Sequence, residues 1–350
     1  MRISRLLISL SVAAAVSCVI PVLSAQTSRE PSRSETSKSW SVPRTAWGDP
    51  DLQGLWPSND MQGTPYERPE NFGARAFLNE DELKARETTV QRQAASDAET
   101  TFKQGERVGI GAPSNWGERG KPQRQASLIV DPPDGRFPPM TPEGEKRSKE
   151  AYSTYYLDFP DAVTAHPFNE FSDLGVYDRC ITRGLLPSML PTAYNMGNQI
   201  MQTPGAVIIR NEMIHETRVI PLDSRPHVGA KIRQYLGDSR GHWEGTTLVV
   251  ETTNFNGKVG MTRNGNTLPT TQDLKIVERF ERVGPNTLQY TATVTDLKTW
   301  TRPWTVSLPL TLHPEYQFFE YACHEGNYAM KHILSGARAD ERASGEKVAP

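Results

Sequence analysis

The chain has 350 residues, 36% hydrophobic and 23% charged, with 27 Pro and 26 Gly. So many helix-breaking residues exclude an all-helical bundle. Lys+Arg 39 against Asp+Glu 41 excludes a strongly basic nucleic-acid binder. Beyond the N-terminus no apolar run reaches the roughly 18 residues that a membrane helix needs, so no stable membrane insertion is expected once that segment is removed.

Residues 1–25 read as a secretory signal peptide. Arg2 and Arg5 form a positive start, a mostly apolar stretch runs from Leu6 to Leu23, and Ala25 offers a small residue for cleavage. A membrane anchor is the rival reading, weakened by Ser9, Ser11, Ser17 and Pro21. The expected location is the periplasm or the outside of a bacterium. Residues 26–46, rich in Ser and in Arg and Lys, are expected to be a flexible N-terminus.

Residues 47–204 read as a wrapping segment. Gly54-Leu55-Trp56 is a G-x-W triplet of the kind that opens lipocalin-type barrels, its Trp plugging one end. Residues 79–104 form the best helix, with Asn79 as cap and Glu82 as capping-box partner. Ser127-Leu128-Ile129-Val130 reads as a short strand and 131–135 as a turn. A second helix is expected from Pro142 or Glu143 to Tyr156. A Pro-rich connector follows over 174–205.

Residues 205–338 change to period two and read as a β-barrel core. Strands are expected near 207–209, 213–222, 231–236, 246–253, 274–283, 288–295, 304–312 and 317–323, with a hairpin at Gly284-Pro285-Asn286-Thr287. Strands at this spacing without intervening helices give a mainly β fold, an antiparallel calycin-like barrel wrapped by an N-terminal segment with two helices. Residues 339–350 read as a flexible tail.

Two segments, Arg44 to Trp56 (RTAWGDPDLQGLW) and Gly237 to Phe255 (GDSRGHWEGTTLVVETTNF), carry a family resemblance. With Glu212-Met213-Ile214-His215-Glu216 and Ala322-Cys323-His324-Glu325-Gly326-Asn327, they make the chain resemble a large group of exported bacterial proteins. The resemblance covers most of the mature chain. It implies export and a single-unit architecture, and supplies no catalytic roles.

Cys18 leaves with the signal, so Cys180 and Cys323 remain, an even pair that in an oxidising compartment points to one disulfide. Two separate buried thiols are the alternative. Gly237-Asp238-Ser239-Arg240-Gly241 matches the G-x-S-x-G nucleophile elbow, but the helix that elbow requires does not follow, and these residues also suit a hairpin loop.

Histidines supply the stronger candidates. Alternation with Met213 and Val219 turns His215 toward a barrel lumen, where an imidazole works as base or acid near neutral pH. His324 and Glu325 form a second acid–base pair beside Cys323. Arg179 and Tyr194, in the connector, are expected to polarise a substrate. His227, Asn195 and Glu216 are candidate substrate contacts, as are Trp300 and Arg302, which together form an Arg–aromatic rim. No H-E-x-x-H or CxxC pair is present and no metal is expected, although a site built from His215, His227 and His324 stays open. No dinucleotide or phosphate loop is present, so no cofactor is expected.

These readings add up to a cofactor-independent hydrolase, lyase or isomerase acting on a small organic molecule. A periplasmic binding protein for a hydrophobic or aromatic ligand is the alternative, and a structural envelope protein the third. Neither a nucleic-acid partner nor an oligomeric state is indicated.

Overall fold

The computed structural model describes residues 40–99, 116–150, 168–262 and 267–345. The signal peptide, most of the 26–46 segment, residues 100–104 of the first expected helix and 151–156 of the second lie outside them.

Short strand β1 (Gly54–Leu55) opens the fold and helix α1 (Glu80–Glu99) follows. The capping box forms as its sequence requires: Glu82 N–H donates to Asn79 Oδ1 at 2.9 Å, and Asn79 N–H to Glu82 Oε2 at 2.8 Å. Then come β2 (Ile129–Asp131) and α2 (Pro142–Lys149). Thr141 caps α2 by accepting from Gly144 N–H at 3.0 Å, with Pro142 in the first turn, where its missing N–H costs nothing. A five-residue helix α3 (Leu185–Met189) precedes an almost unbroken run of strands. These are β3 (Asn198–Thr203), β4 (Ala206–Asn211), β5 (Thr217–Pro221), β6 (Asp238–Glu244), β7 (Thr247–Thr253), β8 (Gly260–Thr262), β9 (Thr267–Pro269), β10 (Lys275–Gly284), β11 (Thr287–Thr295) and β12 (Trp304–Thr311). Helix α4 (Ala329–Ser344) ends the described chain.

The protein is mainly β and its sheets are antiparallel. One sheet runs β1-β3-β4-β5, the other β2-β12-β11-β10-β7-β6, and β8 pairs with β9. Inward residues of both large sheets share one core. Ile200, Val207, Ile209 and Ile220 meet Leu248, Ile276, Phe280, Tyr290 and Leu308, none more than 2% exposed. Burying each such side chain stabilises by about 1.5–3 kcal/mol. The two sheets also touch at their edges. Gly241 of β6 lies so close to β5 that a Cβ there would come within 2.8 Å of Ile220 and Leu222, and His313 N–H donates to Leu55 O at 3.0 Å. Among the described residues, however, the two ladders do not join into one hydrogen-bonded ring.

The G-x-W triplet sits at one end of the core. Trp56 is fully buried, its indole N–H donating to Leu52 O at 2.9 Å, and the Arg282 guanidinium lies 5.6 Å from its ring centroid. Gly54 is required here. Its φ is +146°, and a Cβ would stand 2.5 Å from Leu312 Cδ1.

Several expected boundaries shift. The four-stranded sheet takes β1 and β3 from the segment assigned to wrapping, so that segment contributes strands to both sheets along with 205–338. Residues 231–236 are irregular, joined to the sheet by a bridge from Gln234 to Phe255. Residues 317–323 are also irregular, and 239–241, expected in a hairpin loop, lie in β6. Helix α4 takes in 339–344 of the expected tail. The expected strand 213–222 is broken by a tight turn at Met213–His215, where Ile214 and His215 have φ of +57° and +44°. That interruption changes the phase of the pleat. Arg218 and Ile220 point into the core, while Val219 is 59% exposed.

Candidate active site

The connector 174–205 and the irregular segment after β12 come together beside the end of β4, and the disulfide between Cys180 and Cys323 fastens them across 143 residues. A small tyrosine cluster fills the contact. Tyr177 Oη lies 3.1 Å from Tyr321 Oη, and Tyr194 stacks on Tyr321 with ring centroids 6.5 Å apart and planes at 14°. Met213 and Ile214 complete it from below, and Trp116 meets Tyr194 edge-on at 5.8 Å.

Next to these rings stand two carboxyl groups joined through a phenol. Tyr316 Oη lies 2.7 Å from Glu118 Oε2 and 2.7 Å from Glu212 Oε2. Glu212 is fully buried and also accepts from Asn195 Nδ2 at 3.0 Å, Gly197 N–H at 3.2 Å and Phe319 N–H at 2.8 Å. Glu118 accepts from the backbone N–H of Asn195 at 2.6 Å and of Met196 at 3.4 Å. Gly197 leaves the space this arrangement needs: a Cβ there would come 2.6 Å from the Tyr316 ring and 2.8 Å from Glu212 Oε2.

A phenol has one proton, and here it makes two short oxygen–oxygen contacts. It can donate to only one of them at a time, so the second contact becomes a hydrogen bond when the other carboxyl group carries a proton. Burial raises the Glu118 carboxyl above its ordinary value, and the nearby Glu212 charge pushes the same way against the hydrogen bonds that lower it. Burial and hydrogen bonds to both carboxyl groups hold Tyr316 far above the ordinary phenol value, so it stays protonated. Glu118, the group that burial raises, is the one placed to carry a shared proton toward Tyr316.

Of the residues singled out from sequence, Tyr194, Asn195, His215, Cys180 and Cys323 fall within this region. His215 does not face a lumen. It is exposed on the tight turn, and its Nδ1–H donates to Tyr321 O at 2.9 Å. His324 and Glu325 are exposed in the turn after Cys323, because the expected strand there does not form. Arg179 is half-buried, with Nε donating to Gly175 O at 3.4 Å. Glu216 lies against α3, accepting from Arg183 N–H at 3.4 Å and Ser188 Oγ at 3.3 Å, and burial raises its carboxyl above the ordinary value.

The other candidates lie elsewhere. His227 Nδ1 is 2.8 Å from Asp238 Oδ2, with Nε2 3.4 Å from Glu251 Oε1, which fastens the loop before β6 onto the sheet. Trp300 is fully buried and packs edge-on to Trp304 at 5.5 Å, while Arg302 pairs with Asp131 at 3.0 Å. The expected Arg–aromatic rim is a core contact and a surface ion pair. Ser239 Oγ is buried 2.9 Å from Thr252 Oγ1 inside β6, with no elbow around it. Among the described residues, no group of three His, Cys, Asp or Glu side chains is placed to hold a metal ion, and no helix is long and apolar enough to cross a membrane.

Sequence reasoning missed Glu118, Glu212 and Tyr316. Glu212 was visible in the segment Glu212 to Glu216, but period-two counting turned it outward. Glu118 in a Gly-rich basic stretch and Tyr316 beyond the last strand carry no local signal. Comparison with protein-family models, curated proteins and solved structures finds no match to this chain.

Proposed function

We propose that this protein is an exported enzyme that performs acid–base chemistry on a small organic molecule, with Glu118, Tyr316 and Glu212 as its proton-transfer centre. The observation that carries this reading is the pair of 2.7 Å contacts at one phenol oxygen, which together call for a carboxylic acid that keeps its proton in the working range. Glu118 is the partly open member, and it delivers the proton to a departing oxygen or to an enolate. Once Glu118 has given up its proton, the Tyr316 hydroxyl turns its hydrogen bond to the new Glu118 carboxylate, and Glu118 regains a proton from solvent on its open side. Asn195 holds both carboxyl groups in place through its backbone and side-chain N–H, and Trp116 and Tyr194 offer ring faces for an apolar part of the substrate. The reaction class is hydrolysis, elimination or isomerisation. Export and a calycin-like barrel belong to the same proposal. The signal-like N-terminus and the disulfide support the first, and the contacts between sheet edges support the second.

Infrared difference spectroscopy with 13C-labelled Glu tests the centre. Wild type at neutral pH is expected to show a protonated carboxyl band that disappears in Glu118→Gln. Screening ester, glycoside and lyase substrates is expected to give turnover that falls by roughly 10²–10⁴-fold in the same variant. An absent band removes the proton-sharing centre. Turnover unchanged in Glu118→Gln removes its catalytic role. The binding-protein alternative rests on the Trp116–Tyr194–Tyr321 stack, and saturable binding of an aromatic probe with no turnover by wild type would favour it.

A further inference from the structure

On the outer face of β11 and β12 the chain forms a half-open groove of about 350 Å³ that shares no residue with the Glu118–Tyr316–Glu212 centre. Its volume lies in the range of small-ligand sites. The register sets Gln289 opposite Pro309 and Thr291 opposite Ser307, so Gln289 and Ser307 present their side chains away from the core. The segment around Gln125 forms the facing wall. An antiparallel bridge places Phe77 directly opposite Gln125, so the two side chains stand on one face, and the Phe77 ring is 63% exposed.

Two glutamines of the lining converge on Ser307. Gln125 Nε2 donates to Ser127 O and Ser307 O, both at 2.6 Å. Gln289 Nε2 donates to Ser307 Oγ at 2.8 Å and to Tyr290 O at 3.4 Å. Each amide thus spends both hydrogens inside the protein. The carbonyl partners also decide which end of each amide is nitrogen, because a carbonyl oxygen can only accept. Among the described residues no donor reaches either Oε1, and neither oxygen is shut off from solvent. The groove therefore presents two fixed acceptors, and an occupant that replaces their water must donate to them.

Charge narrows the class of donor. The lining holds Arg68 and Arg124 and no carboxylate, so an ammonium or guanidinium group is repelled. An anion is not served either. Arg68 spends Nη1 on Pro133 O at 2.8 Å and Gly73 O at 3.3 Å, and Gly135 lies against its Nε–Nη2 edge. Arg124 is paired with Glu80. A neutral donor remains, and the open Phe77 ring adds a flat apolar surface beside the two acceptors. A sugar ring combines what is asked, with hydroxyl donors around its rim and an apolar C–H face. We propose that this groove binds a neutral sugar unit. Its hydroxyls donate to Gln125 Oε1 and Gln289 Oε1, and its C–H face lies on Phe77.

Calorimetry on the full mature chain tests this with cellotriose, maltotriose and mannotriose as neutral probes. The glucosamine trimer and trigalacturonate serve as cationic and anionic counterparts. At least one neutral trisaccharide is expected to bind about 10-fold or more tightly than either charged trimer, as an unmatched polar or charged contact requires. Binding of the matching monosaccharide as well assigns a free sugar as ligand, and binding of the trisaccharide alone assigns a unit of a polysaccharide. Gln289→Ala removes one acceptor and Phe77→Ala the ring. Both alter surface positions, and each is expected to weaken binding by about 3–10-fold at unchanged Tm. The proposal is overturned if none of the three neutral trisaccharides binds, if a charged trimer binds as well as the best of them, or if both surface variants keep wild-type affinity.

Discussion

Glu118 and Glu216 are two half-open or buried carboxyl groups raised above their ordinary value by burial, without a direct cationic partner strong enough to reverse it. The sign of their effect on stability follows from proton counting. Between the ordinary value and the raised one, the native state holds more protons than the unfolded chain, so stability falls as pH rises through that window. Their contribution is fully present below the ordinary carboxyl value and is lost above the raised one. Glu82 acts in the opposite sense. Its hydrogen bond to Arg75 lowers it to about 2, so its contribution is present above the ordinary value and fades as pH falls toward that figure. Thermal melts between about pH 4 and 7 therefore carry a component that declines toward neutrality, set against the opposite component from carboxylates held low by cationic partners, such as Glu244 beside Arg279 and Glu251 beside Lys275. The decline is expected to be shallower in Glu118→Gln and shallower still in Glu118→Gln/Glu216→Gln. Parallel curves for all three proteins would show that neither group holds an extra proton.

Among the elements, β5 and β10 belong to different sheets and are joined through the core. Arg218 makes two bonds to Glu278, at 2.5 and 2.6 Å, and Tyr290 Oη donates to Glu278 Oε1 at 3.0 Å. Glu278 is fully buried and Arg218 only 9% exposed. Removing one partner strands a buried charge, whereas replacing both by apolar groups need not destabilise. Arg218→Met is expected to lower the unfolding free energy by about 3–5 kcal/mol, and Arg218→Met/Glu278→Leu to recover most of that loss in urea titrations. A double variant as unstable as the single one would mean that packing, not the buried charge, dominates there. The same elements show what the sequence makes legible. The β10–β11 hairpin, β7, β12 and the start of α1 carry strong local signals, in period-two β-branched runs and a capping box, and they form within a residue or two of expectation. The turn at Met213–His215 carries none. Its positive φ at Ile214 and His215 goes with a local bond from His215 N–H to Glu212 O and with a contact to Tyr321, 106 positions away, and it alone decides whether His215 or Arg218 faces inward. Tyr194, Asn195 and Cys180 are legible as a group because they share the connector, and Cys323 is legible as the one other cysteine left to pair, whereas Tyr316 joins Glu118 only across 198 positions.

At the scale of the whole molecule, the Cys180–Cys323 link encloses every strand from β3 to β12 in a loop of 143 residues. In the simple chain model a loop of that length removes about 5 kcal/mol of unfolded-state entropy. The two ends of the link differ in kind. Cys180 is buried beside α3, whereas Cys323 lies in the segment after β12, which has no strand ladder of its own. That segment is held by the disulfide, by Phe319 N–H and Tyr316 on Glu212, and by Tyr321 against Tyr177, Tyr194 and His215. Local stability follows from how many such contacts remain when one is cut. In Cys180→Ser/Cys323→Ser, hydrogen exchange is therefore expected to rise first over residues 316–328, while β10, β11 and β12 keep their protection, and global stability is expected to fall by about 2–5 kcal/mol. The Glu118 proton should be lost with it, because Tyr316 and Phe319 are carried on the released segment, so the protonated carboxyl band should weaken in parallel. If exchange instead rises evenly across β10–β12, the disulfide supports the sheets themselves, and the segment carrying Tyr316 is not an independently released unit.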